Sequence, residues 1–97
     1  MRLVITVLEG SDKNKQSIFI DFPISIGRLT DNDFHLNDKY VSRRHCTIYS
    51  DGISLTVSDL SSTNKTILNK IVINEPKPIF NEDELIIGRN LLKILIK

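Results

Sequence analysis

The 97-residue chain predicts an all-β fold, an antiparallel sandwich of two twisted sheets with its loops gathered at the ends. Three observations carry this. No window of a dozen residues holds an i, i+3, i+4, i+7 apolar stripe free of helix breakers. Short β-branched runs of alternating polarity recur along the whole chain. Turn residues separate those runs at close intervals, including Asp51-Gly52 between two alternating segments, a strong hairpin signal.

Taken in order, Leu3 to Leu8 reads as a first strand, followed by a polar turn over Gly10 to Gln16. Ser17 to Phe22 alternates, with Ile18, Ile20 and Phe22 on one face and Ser17 and Asp21 on the other. Pro23 interrupts, and Ile24 to Ile26 resumes as a short strand. Asp31-Asn32-Asp33 is turn chemistry, and Phe34 to Leu36 is at most a stub. Cys46 to Tyr49 and Ile53 to Ser58 form the expected hairpin, Ile53, Leu55 and Val57 facing one way. Short strands follow at Thr66 to Leu68 and Ile71 to Ile73. Pro76 and Pro78 mark an irregular crossing, and Glu84 to Ile87 and Leu91 to Ile96 flank the turn Gly88-Arg89-Asn90.

Composition narrows the function. A single domain over residues 1–97 is expected at this length, large enough for one core. Hydrophobic residues make up 40% and charged residues 26%, as in a soluble globular protein rather than a disordered one. The net charge of +1 lacks the basic excess of a general nucleic-acid binder. Cys46 is the only cysteine, so no intrachain disulfide forms and a reducing compartment is favoured. The opening MRLVITVLEG is too short an apolar run for a secretory core or membrane span. A cytoplasmic protein with no membrane insertion is the expectation.

The segment YVSRRHCTIYS, residues 40 to 50, concentrates the reactive side chains. Ser42 with His45, or Cys46 with His45, are the nearby nucleophile–base pairs. In a strand entered at His45, Cys46 points to the opposite face and reads as a small buried hydrophobe. Ser42 and His45 can meet across a turn, but no nucleophile motif accompanies them, and a structural hydrogen bond is the simpler account. His35, His45 and Cys46 lack zinc-ligand spacing, so no metal and no cofactor are expected. Arg43-Arg44 has only Tyr40 beside it and no stacking platform for nucleic acid.

An anion site needs several donors converging from separate loops. Arg28 follows Gly27, a residue that permits a backbone conformation or close approach other residues forbid. Ser42 offers a hydroxyl and a backbone N–H, and Arg43 a second fixed charge. Asn64 can donate and accept, which suits gripping an extended peptide backbone. Gly27-Arg28, Ser42-x-x-His45 and Ser62-Thr63-Asn64 fall after successive strands, where loops share one end of a sandwich.

At these blocks the chain resembles the forkhead-associated (FHA) domain family, β-sandwiches that read phosphothreonine. The likeness runs from about Ile24 to Leu95: ISIGRLTDNDFHLNDKYVSRRHCTI matches the Gly-Arg and Ser-x-x-His blocks, VSDLSSTNKTILN the Asn block, and IFNEDELIIGR the late strand. The resemblance implies a non-catalytic module that recruits phosphothreonine-containing partners, substrates of a Ser/Thr kinase. It implies that Arg28 pairs with the phosphate, that Ser42 donates its hydroxyl and that Arg43 adds a charged contact. Asn64 would bond the peptide main chain, Thr63 line the pocket, and Gly27 and His45 support the loops. Arg44 is expected to face solvent. Two departures stand out: Asn64-Lys65 and Asn69-Lys70 replace the family's usual Asn-Gly pairs. Lysine at position 65 either costs about 1 kcal/mol in a left-handed turn, or signals a different turn, or brings charge to the groove. The second reading of the chain is a phosphate-independent scaffold or oligomerisation module of the same fold.

Overall fold

The computed structural model describes residues 1–97, and every regular element in it is a strand. Eleven strands follow in chain order: β1 (Leu3–Glu9), β2 (Gln16–Phe19), β3 (Ile24–Gly27), β4 (Phe34–His35), β5 (Cys46–Ser50), β6 (Leu55–Asp59), β7 (Thr66–Leu68), β8 (Ile71–Val72), β9 (Lys77–Ile79), β10 (Glu84–Ile87) and β11 (Asn90–Ile96). They pair into a six-stranded sheet, β2-β1-β11-β10-β7-β8, and a five-stranded sheet, β4-β3-β5-β6-β9. Pairing is antiparallel except at one place. β4 lies parallel to β3, with Ile26 opposite Phe34 and Gly27 opposite His35.

Period-two alternation decides which residues make the core. Leu3, Ile5 and Val7 of β1, Leu92 and Ile94 of β11 and Leu85 and Ile87 of β10 are buried on the inner face of the first sheet. Ile24, Ile26, Phe34, Cys46, Ile48, Leu55, Val57 and Ile79 meet them from the second. Together with Leu36, Val41 and Ile73 they form one cluster of 18 buried residues.

Several expectations change here. Ile18 and Ile20 are 59% and 69% exposed, whereas Phe19 and Phe22 pack against the core cluster. In β2 the alternation runs in the opposite phase, Ser17 and Phe19 inward and Ile18 outward, and Phe22 turns in from the segment that follows. Ile53, expected to share a face with Leu55 and Val57, sits in the β5–β6 turn and is 88% exposed. The Asp51 side chain explains this turn: its carboxylate accepts the Ile53 and Ser54 N–H groups at 2.9 and 2.7 Å. The segment read as an irregular crossing contains β9. Pro78, opposite Thr56, is tolerated there because β9 is an edge strand.

Strand direction gathers the loops. β3 ends at Gly27, β6 ends at Asp59, and β5 and β11 begin at Cys46 and Asn90. Since Ile26 pairs with Cys46, Cys46 with Asp59, and Ile87 with Asn90, the loops 28–33, 36–45 and 60–65 and the Gly88-Arg89 turn share one end.

Candidate functional site: a cationic pocket at one end of the sandwich

The loops at this end enclose an open pocket lined by Arg28, Lys39, Tyr40, Val41, Ser42, Arg43, Arg44, Thr63 and Asn64. All five residues expected to contact a ligand, Arg28, Ser42, Arg43, Thr63 and Asn64, lie on its wall.

Gly27 places Arg28. A Cβ at Gly27 would stand 2.2 Å from the Arg43 carbonyl oxygen and 2.8 Å from Asn32 Nδ2, so only glycine lets the two loops approach. The Arg28 N–H then donates to the Ser42 carbonyl at 3.0 Å, tying the loops main chain to main chain. Arg28 Nε donates to the Val41 carbonyl at 3.0 Å. One donor of the guanidinium is thereby spent on orientation, and its two terminal nitrogens have no protein partner.

Ser42 is held from two sides. Its backbone N–H donates to His45 Nδ1 at 3.0 Å, so that N–H is not free for an anion, contrary to the sequence expectation. Its hydroxyl oxygen accepts the Thr63 N–H at 3.0 Å. The hydroxyl hydrogen remains to be donated.

His45 is fully buried and bridges the loops. Nδ1 accepts from Ser42, and Nε2 lies 2.8 Å from the Lys65 carbonyl oxygen. A ring that accepts at Nδ1 and faces a carbonyl at Nε2 donates from Nε2. It therefore braces the Ser42 and Asn64 loops and has no free nitrogen with which to deprotonate Ser42.

The third loop hangs on Asp59. This carboxylate lies at the inner-face end of β6, where it accepts the Ser62 hydroxyl and N–H and the Thr66 hydroxyl, the last at 2.7 Å. Burial pushes its carboxyl up, but these hydrogen bonds outweigh it and hold it below the usual carboxylate value. Asn64, presented by this loop, donates through Nδ2 to the Tyr40 carbonyl at 2.8 Å. Its Oδ1 and second N–H remain open to a ligand.

Lys65 settles one open question. Its φ is +66°, so the turn is left-handed despite the missing glycine, and Asn69 and Lys70 follow at +48° and +70° in the β7–β8 hairpin. The altered residues keep the turn geometry and bear its strain.

Five further residues take part that the sequence did not assign to the site. Arg44 is exposed, as expected, yet it is not free: it donates to Asp31 at 2.9 Å and Asn32 at 3.0 Å and forms part of the pocket wall. Buried Asn32 donates to the Leu29 and Arg43 carbonyls, clasping the first two loops. Asp38, also buried, accepts the Arg89 and Tyr40 N–H groups at 2.7 and 2.9 Å. Lys39 and Tyr40 complete the wall. An Asp-Asn-Asp turn and an Asp preceding a basic-aromatic pair were the available signals, and neither specifies its partners.

Cys46 is fully buried, and burial pushes its thiol up to about 12. It is no nucleophile at neutral pH.

Comparison with known proteins agrees with this fold. The FHA domain family model matches residues 24–88. The chain belongs to the FHA domain family. It is 35% identical over 66 residues to the FHA domain-containing protein FhaB of Mycobacterium tuberculosis, covering 68% of this chain and 43% of that one. The oxoglutarate dehydrogenase inhibitor of Corynebacterium jeikeium is 32% identical over 95 residues, 95% of this chain and 63% of the relative. This FHA chain thus spans about half the length of the curated relatives it matches. Among solved structures, one from work on phosphothreonine-dependent FHA domain interactions superposes with a TM-score of 0.89 at 27% identity, over 100% of this chain and 98% of the other. The FhaA FHA domain complexed with the intracellular domain of Rv3910 gives 0.84 at 28% identity, over 95% and 98%. FHA domains are binding modules, and this one presents a pocket of fixed donors with no activated nucleophile beside it.

Proposed function

We propose that residues 1–97 act as one binding unit that recognises phosphothreonine in a partner protein, and that it works by recruitment rather than catalysis. The observation that carries this is the convergence of Arg28, Ser42 and Arg43 from two loops on one open pocket, with Arg28 and Ser42 already oriented by Val41 and Thr63. A phosphothreonine brings about −1.5 to −2 charges and three strong acceptor oxygens. The free guanidinium nitrogens of Arg28 suit two of them, and the Ser42 hydroxyl hydrogen the third. Arg43 adds charge from the rim, Thr63 lines the pocket, and Asn64 bonds the peptide main chain through its open amide groups. Each charge-assisted bond contributes roughly 1.5–3 kcal/mol. The donors are preorganised, so little ordering cost is subtracted on binding.

Two solved neighbours support the same reading: one comes from phosphothreonine-dependent FHA domain interactions, and the other is complexed with the intracellular domain of another protein. The partner is then a substrate of a Ser/Thr kinase. An unpaired, buried Cys46 suits the reducing cytoplasm. The phosphate-independent scaffold reading rests on the altered Asn64-Lys65 loop and on open sheet edges. Lys65 keeps the left-handed turn, which weakens the first ground; β2, β8, β4 and β9 are edge strands, so the second stands.

The test is amide shift mapping by NMR with three peptides that differ only in threonine, phosphothreonine and phosphoserine. The reading expects shifts at Arg28, Ser42, Thr63 and Asn64 with phosphothreonine alone. Shifts centred elsewhere, or equal with unmodified threonine, would exclude it.

A further inference from the structure

The pocket holds more positive charge than one phosphate needs. Its wall carries Arg28, Lys39, Arg43 and Arg44 and no carboxylate, on a chain whose net charge is only +1. Arg44 is already neutralised by Asp31 at 2.9 Å. A phosphothreonine, at about −1.5 to −2, matches Arg28 and Arg43. Lys39 is left over: it has no ion pair and no hydrogen bond within the protein, and its Nζ lies 5.4 Å from the Tyr40 ring centroid.

Tyr40 makes this corner a fixed surface. Its N–H is held by Asp38, its carbonyl by Asn64, and its ring by the Arg89 guanidinium at 4.5 Å from the centroid. Arg89 in turn faces buried Asp38, Nε to Oδ1 at 3.7 Å, so its charge is partly compensated. Gly88, at φ +61° and too close to Val41 and Asp38 for any Cβ, keeps that turn against the loop. On the pocket wall, Lys39 is thus the cation that neither a carboxylate nor the phosphate accounts for, next in the chain to Tyr40, whose carbonyl takes the Asn64 amide.

We propose that Lys39, seated on Tyr40, is a second anion seat, and that the preferred ligand carries a further negative group next to the phosphothreonine: an acidic side chain or a second phosphate. This rests on the phosphothreonine reading and adds the class of flanking residue. Arg89 positions Tyr40 and leaves Lys39 as the group that touches the ligand.

The experiment titrates the intact chain with phosphothreonine peptides whose flanking residues, on either side, are alanine, aspartate, phosphothreonine or lysine, each beside its unphosphorylated twin. The proposal expects the aspartate peptide to bind about three- to tenfold tighter than the alanine peptide, with the doubly phosphorylated one at least as tight. Lys39→Ala brings the aspartate-to-alanine ratio close to one, and Lys39→Glu inverts it towards the lysine peptide. Thermal melting of both variants confirms folding. Wild-type chain that distinguishes phosphorylated from unphosphorylated twins yet ignores the flanking charge overturns this inference alone, as does a ratio unchanged in Lys39→Glu. Failure to distinguish the twins overturns the phosphothreonine reading beneath it. An aspartate peptide that gains while the doubly phosphorylated one does not assigns the seat to a carboxylate; the reverse assigns it to phosphate.

Discussion

The Thr63 backbone N–H donates to Ser42 Oγ at 3.0 Å, across a sequence separation of 21 residues. This one bond joins the second and third loops of the pocket at the atom proposed to touch the phosphate. Because the oxygen already accepts from Thr63, its hydrogen is directed away from that N–H and towards the open pocket. At the Arg28–Ser42 end the site thus offers the pocket donors alone.

His45 is the brace for that arrangement. Replacing His45 with alanine leaves the Ser42 N–H and the Lys65 carbonyl without partners and opens a cavity in the buried end of the sandwich. Urea unfolding is expected to show a loss of about 2–4 kcal/mol. Phosphopeptide affinity should fall even under conditions where the variant is fully folded. Unchanged stability would remove the brace assigned to the imidazole.

Lys65 occupies a left-handed conformation at φ +66°. Lys65→Gly relieves that strain at some entropic cost in the unfolded chain, for a net gain of about 0.5–1 kcal/mol. Chemical denaturation measures it, and a loss of stability would show that the lysine stem makes a compensating contact.

Asp59 makes stability depend on acid. Its carboxyl is held below the ordinary value of 3.8, so the unfolded state binds the proton more readily. The stabilisation is complete above that value and disappears as pH falls through the lower, folded one. Unfolding free energies from pH 7 to pH 3 should therefore decline at the acid end for the native chain. Asp59→Asn is expected to be less stable at pH 7 and to show a shallower decline below about pH 4.

Cys46 should react only when the protein opens. With its thiol at about 12 and no exposure, a disulfide reagent at pH 8 is expected to modify it at the rate of unfolding, accelerated by urea. Immediate modification of the folded chain would contradict its placement in the core.

Much of this was legible in the chain because strand alternation and turn chemistry are local. The runs at residues 3–8, 46–49, 66–68, 84–87 and 91–96 appear as β1, β5, β7, β10 and β11 within a residue or two. Arg28, Ser42, Thr63 and Asn64 do meet at one pocket, since β3 ends, β5 begins and β6 ends at the same edge of their sheet. What was not legible depends on partners far away in sequence. Ile18 and Phe19 are both apolar, and only the packing of Phe19 edge-on against Phe34, at 6.2 Å between ring centroids, decides which turns inward. Arg44 meets Asp31 through tertiary folding, and Asp38 meets Asn90 across 52 positions. The parallel pairing of β4 on β3 follows from a loop between them that periodicity does not describe.

The central claim is that Arg28 reads the phosphate. Its direct measurement is a cycle of four affinities, wild type and Arg28→Ala each titrated with a threonine peptide and its phosphorylated twin. The wild type is expected to prefer the phosphopeptide strongly, and Arg28→Ala to reduce that preference by about tenfold or more. Equal affinities for the two peptides in the wild type, or a preference untouched by Arg28→Ala, would contradict the account.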